Sequence, residues 1–82
     1  MAITFDERWF LGPDGRSRMR HVYSAGDLIG RVWRWHEDEP GEMIHEWFTA
    51  ERMNGASYEP IAGEHATFEE ALEHIVTYSV AQ

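Results

Sequence analysis

Five histidines and fifteen acids in 82 residues bring metal and acid/base chemistry to mind first. His36 and His45 flank the acidic stretch Glu37-Asp38-Glu39-Pro40-Gly41-Glu42, with Glu46 just beyond, and across a hairpin the two imidazoles could approach one another. A zinc-protease helix needs its second histidine one turn after the first, and His45-Glu46-Trp47-Phe48-Thr49 lacks it and reads as strand. The stretch from Glu37 to Glu42 does not have the alternating oxygen ligands of a calcium loop. Ser17, Ser24, Ser57 and Ser79 stand in no nucleophile-elbow context. A catalytic carboxylate needs a pocket to move its pKa, and a chain of this size has little room for one. Neither a metal site, a cofactor nor an enzyme is expected.

A second constellation combines arginine with tryptophan. Arg16, Arg18 and Arg20 occupy alternate positions, and Arg31 and Arg34 are interleaved with Trp33 and Trp35. Guanidinium groups beside aromatic rings grip phosphates and stack on bases. All seven basic side chains are Arg, and four tryptophans (Trp9, Trp33, Trp35, Trp47) are present. At least two of these should be structural, since large aromatics supply core area efficiently in a small domain. An exposed remainder would serve as binding anchors. The opposing reading is a solvated sheet face, with the arginines balanced by Asp27, Glu42 and Glu46 on adjacent strands.

The acids form the third constellation. Residues 1–34 carry six arginines against four acids, whereas residues 35–82 carry eleven acids against Arg52 alone. The net charge of −8 is therefore lopsided, and it repels nucleic acid while attracting a basic partner. Glu37, Asp38, Glu39 and Glu42 make one cluster, and Glu69, Glu70 and Glu73 another. Carboxylates held on a rigid scaffold can stand in for phosphates in a groove built for nucleic acid.

Local sequence indicates which elements hold these groups. Gly12-Pro13-Asp14-Gly15 is a turn, and Arg16–Tyr23 then alternates as a half-buried strand. Ala25-Gly26-Asp27 turns the chain into Leu28–Trp35, where Arg31, Trp33 and Trp35 share a face opposite Val32 and Arg34. Met43–Ala50 is the next strand, with Phe48 and Ala50 opposed to Trp47, and Glu51–Ser57 reads as a loop containing Asn54-Gly55. Tyr58–Ala62 suits an edge, because Pro60 cannot donate to a neighbour. Ala2–Phe5 could be a first strand.

The helix signal is the strongest. Thr67-Phe68-Glu69-Glu70 is a capping box, and Phe68, Ala71, Leu72, Ile75, Val76 and Ser79 form one apolar stripe through about Val80. The expected fold is α+β in a single domain over 1–82. It has an antiparallel meander of three or four strands with the C-terminal amphipathic helix packed on one face. Absence of cysteine excludes disulfides and thiolate metal sites, and no run is long and apolar enough to span a membrane. A cytosolic protein is expected.

Two resemblances follow. Trp33-Arg34-Trp35, then Ala66-Thr67-Phe68-Glu69-Glu70-Ala71, resembles the three-strand-plus-helix DNA-reading domains of plant ethylene-response factors and phage integrase arms, over half the chain. That likeness implies a sheet entering the major groove. In its class features (small, acidic, cysteine-free, one α+β domain, no active site) the chain is similar to phage-encoded inhibitors of bacterial defence, the anti-CRISPR proteins. This implies a non-enzymatic inhibitor in the host cytosol, occupying a basic nucleic-acid surface of a bacterial effector. The expected contacts are Glu37, Asp38, Glu39, Glu42, Glu69, Glu70 and Glu73, with Trp33 and Trp35 as anchors. Arg18 and Arg20 would pair with acids of the partner or of a second copy.

Overall fold

In a computed structural model, which describes residues 2–37 and 45–80, the chain forms one antiparallel sheet and one helix. The strands are β1 (Ile3–Phe5), β2 (Phe10–Leu11), β3 (Arg18–Ser24), β4 (Asp27–Glu37), β5 (His45–Asn54) and β6 (Ser57–His65). The helix α1 is Phe68–Val80. The order across the sheet is β1-β3-β4-β5-β6, and β2 also pairs with β3. This is the expected α+β architecture, extended by the N-terminal segment: Ile3 lies opposite Ser24 and Phe10 opposite Met19.

Turn chemistry sets the register. Ser24 pairs with Asp27, so the β3–β4 link has two residues, Ala25 and Gly26, at φ of 50° and 88°. Two positive φ values match the right-handed twist of the strands they join. At the β5–β6 link, Asn54 pairs with Ser57, and Gly55 supplies the single positive φ of 64°. Strand β5 consequently runs through Glu51-Arg52-Met53-Asn54, which the sequence reading assigned to a loop. Three of those four residues are polar, and non-local partners make them strand: Glu51 faces Arg31, and Arg52 faces Glu59.

Alternation sorts the side chains onto two faces. Val22, Val32, Phe48, Ala50 and Ile61 point to one side, where Phe68, Ala71 and Ile75 of α1 close the core. Thr67 Oγ1 accepts from the Glu70 amide at 3.2 Å, as the capping pattern requires. Gly30 is buried where α1 crosses β4. A Cβ there would lie 2.9 Å from Ile75 Cγ2 and would press on the Glu51 carbonyl oxygen, so the helix sits directly on backbone.

The segment between β1 and β2 completes the helix side. Trp9 lies between Phe48 and Phe68, with centroids 6.0 and 5.5 Å away, and Phe5 meets Phe68 at 4.9 Å. Asp6 latches this segment to β3: Oδ2 accepts the His21 amide at 2.9 Å and contacts His21 Nδ1 at 2.7 Å. Burial works to raise the Asp6 pKa, but the hydrogen bonds and charge of His21 outweigh it and hold the carboxyl below its usual range. No described helix is long and apolar enough to cross a membrane.

Candidate binding surfaces

The Arg/Trp constellation divides between the two faces of the sheet. By alternation Arg18, Arg20 and Arg34 lie on the helix side, while Arg31, Trp33 and Trp35 lie on the other. Arg20 is enclosed: its guanidinium carbon stands 4.6 Å from the Trp9 ring centroid, 5.2 Å from Phe68 and 5.3 Å from Phe5. Nη2 donates to the Glu7 carbonyl at 3.4 Å, and Nε is buried without a partner. Arg20 therefore serves as an internal strut between the N-terminal segment and α1. Arg18 donates to the Arg16 and Ser17 carbonyls at 3.2 and 3.3 Å. Trp9 is the structural tryptophan on this side.

The opposite face carries the other three. Trp33 and Trp35 stack at 5.7 Å with planes 26° apart, and Trp47 lies directly across from Trp35. Trp35 Nε1 donates to Thr49 Oγ1 at 2.9 Å. Glu51 Oε1 accepts both Arg31 Nε, at 2.6 Å, and the Trp33 indole N–H. The Arg31 guanidinium also rests 3.7 Å from the Tyr58 ring centroid and 4.8 Å from Trp33. Arg31, Trp33 and Trp35 are thus each tied by a hydrogen bond to a side chain on the next strand.

Two grooves flank the stacked indoles. One, of about 420 Å³, is bordered by Arg31, Trp33, Trp35, Glu51, Pro60 and Gly63. It opens where β6 leaves its ladder, since Ala50 pairs with Ile61 and Phe48 only with His65. The other, of about 240 Å³, lies between Asp14 and Ser17 on one side and Trp35, Glu37 and Trp47 on the other. Asp14 Oδ1 gathers the Arg16 amide (3.0 Å), the Ser17 amide (2.9 Å) and the Ser17 hydroxyl (2.7 Å). These bonds, Ser17's foremost, bring its pKa down to about 2. The loop it braces lies against Trp33, for a Cβ on Gly12 would stand 2.8 Å from the indole.

Carboxylates follow a similar division. Three arginines are neutralised within the molecule: Arg31 by Glu51, Arg34 by Glu46, and Arg52 by Glu59 at 3.0 Å. Glu69, Glu70 and Glu73 are exposed on α1, and among the described residues none of them has an ion-pair partner. Glu37 is exposed at the end of β4. Asp38, Glu39 and Glu42 lie outside the described residues.

The histidine pairing suggested by the sequence does not form. His36 pairs with Glu46 and His45 with Glu37, so the two imidazoles occupy adjacent rungs and point to opposite faces. Among the described residues no three His, Asp or Glu side chains are grouped to hold a metal ion. A different histidine pair, His65 and His74, meets at 4.4 Å between β6 and α1, and no sequence spacing announced it. The groove residues Glu51 and Thr49, and Tyr58 against Arg31, were also missed; for Glu51 the signal that could have found it is alternation carried past Ala50. No protein family, characterised protein or solved structure matches the chain.

Proposed function

We propose that this chain is a non-enzymatic binding protein whose exposed α1 carboxylates dock on a basic surface of a partner protein. One observation carries the reading. Three sheet arginines, Arg31, Arg34 and Arg52, are cancelled internally by Glu51, Glu46 and Glu59, while Glu69, Glu70 and Glu73 face water with no ion-pair partner among the described residues. The negative potential of the −8 chain is thus displayed outward on a capped, well-packed helix. Three carboxylates on a rigid element reproduce the charge, though not the geometry, of a short phosphate run.

The specific form of this proposal is an anti-CRISPR-type inhibitor that fills a basic nucleic-acid channel of a bacterial effector complex. It rests on the class resemblance together with that charge display. The competing reading, direct nucleic-acid binding through the Arg/Trp strands, loses support from geometry. Arg20 is enclosed by three rings, Arg31 is paired to Glu51, and Arg18 faces away from Trp33 and Trp35.

The test is competition. The purified chain should reduce target-DNA binding by a CRISPR effector complex, and the inhibition should weaken as salt rises. The triple reversal Glu69→Lys, Glu70→Lys, Glu73→Lys should abolish it with the fold intact. Should the wild-type chain itself retard DNA, and Arg18→Glu remove that, the nucleic-acid reading replaces this one. Capture of a basic protein from bacterial lysate at low salt, lost in the triple variant, would support the broader proposal without the CRISPR target.

A further inference from the structure

We propose that the sheet face opposite α1 is a two-fold interface between two copies of this chain, centred on Trp35 and Trp47. This surface is separate from the helix carboxylates, and four features of the fold single it out.

Other routes to self-association are closed. At one edge β6 carries Pro60, which has no N–H to give, and bows away from its ladder around Gly63, whose φ is 116°. At the other edge β1 and β2 are strands of three and two residues. Short, broken or proline-bearing edges resist pairing with another strand. The helix side is occupied by α1 and the Phe5–Trp9 segment. Among the described residues the 12–17 loop reaches over the opposite face at one end, and Asp6 and Phe10 border it beside His21.

Most of the charge on that face is paired or confined to one end, where Asp14, Arg16 and Glu37 border the groove beside Trp47. Arg31 and Glu51 cancel each other within it, and the unpaired glutamates of α1 project from the far side of the sheet. Two copies meeting here keep the helix carboxylates apart, even though each chain carries −8.

Two of its three indole N–H groups are already satisfied. The Trp33 and Trp35 indole N–H groups donate to Glu51 and Thr49, so the rings offer flat apolar surface and require no acceptor from a partner. Met19, Met53 and Tyr58 extend this surface on the same side by alternation.

Shape and size agree as well. The Trp33–Trp35 ridge stands between grooves of about 420 and 240 Å³. A ridge beside a groove is self-complementary about a two-fold axis, the arrangement an isologous dimer needs. The long and middle dimensions of the molecule, 45 and 21 Å, bound a face of the order of the ~800 Å² per partner that a stable interface buries.

Sedimentation equilibrium of the whole chain tests this. The mass should rise from 9.6 kDa toward twice that value with concentration. Association should tighten as salt increases, because salt screens repulsion between two acidic chains. Docking of the helix acids on a basic partner has the opposite salt dependence, so the two proposals fail separately. Trp47→Glu and Trp35→Glu should each weaken association by ~100-fold, since each buries carboxylates without partners near the axis. Glu70→Lys should leave dimerisation in place. Circular dichroism identifies which of the two face variants is folded, and either one suffices. A mass of 9.6 kDa at every concentration and salt overturns the proposal, as does unchanged association in a folded face variant.

Discussion

Glu51 accepts the Arg31 Nε–H at 2.6 Å through Oε1, joining β4 to β5 on the face that α1 leaves uncovered. The same oxygen takes the indole N–H of Trp33. One carboxylate thus fixes a cation and an aromatic ring two residues apart on the neighbouring strand. With side-chain exposures of 22% for Arg31 and 18% for Glu51, the pair is mostly withdrawn from water. Its worth lies between that of a surface pair and that of a buried one.

Glu51→Ala leaves a half-buried guanidinium and an indole N–H without their acceptor. We expect a loss of about 2 kcal/mol in urea unfolding, with Glu51→Gln costing less because its amide oxygen still accepts. Arg31→Met in the Glu51→Ala background should recover part of the loss, since it removes the stranded charge. A double-mutant cycle measures this directly, and strict additivity would show that the two residues do not cooperate.

Gly30→Ala tests how closely α1 sits on the sheet. The new methyl would lie 2.9 Å from Ile75 Cγ2 and would press on the Glu51 carbonyl, and the carbonyl cannot move without breaking the β4–β5 ladder. Overpacking of this kind should cost about 1–3 kcal/mol, read as a lower urea midpoint with unchanged slope. Ile75→Leu, which has no Cγ2, should relieve the side-chain part of it in the same background.

The helix was the most legible element because everything that specifies it is local: the Thr67 hydroxyl, the acidic first turn and the stripe from Phe68 to Ile75. The face division of β4 was equally legible, since Arg31, Trp33 and Trp35 alternate against Val32 and Arg34. Alternation does not say which face a helix will cover, so the outward Trp33 and Trp35 could not be told from core residues. The strand state of Glu51–Asn54 was hidden for another reason. Three of its four residues are polar, and the partners of Glu51 and Arg52, Arg31 and Glu59, lie on other strands. The position of Arg20 depends on Phe5, Trp9 and Phe68, which come from three segments and share no periodicity.

Ala25 is the one described non-glycine residue at positive φ, 50°, in the two-residue turn between β3 and β4. Its Cβ crowds the following carbonyl in that conformation, at a cost of roughly 1 kcal/mol. Asn tolerates the left-handed region and favours the first position of this turn. Ala25→Asn should therefore stabilise the chain by about 0.5–1 kcal/mol, seen as a higher melting temperature. Ala25→Val should do the reverse, because β-branching worsens the same clash.

Asp14 makes stability depend on pH in a defined window. Its carboxylate accepts the Ser17 hydroxyl, the Ser17 amide and the Arg16 amide, and these bonds take its pKa from 3.8 to about 2 on folding. A carboxyl depressed in the folded state binds its proton more readily when unfolded. Its contribution is therefore fully present above pH 3.8, and it fades as pH falls toward 2, when the folded form is protonated too. Asp14→Asn keeps one acceptor but cannot titrate. The stability difference between wild type and Asp14→Asn should be constant near neutrality, then shrink between pH 3.8 and 2. All other acids titrate alike in both proteins, so the difference isolates this loop. The loop packs against Trp33, and indole fluorescence should register its loosening before global unfolding. A difference that stays flat down to pH 2 would show that the three hydrogen bonds do not persist in solution.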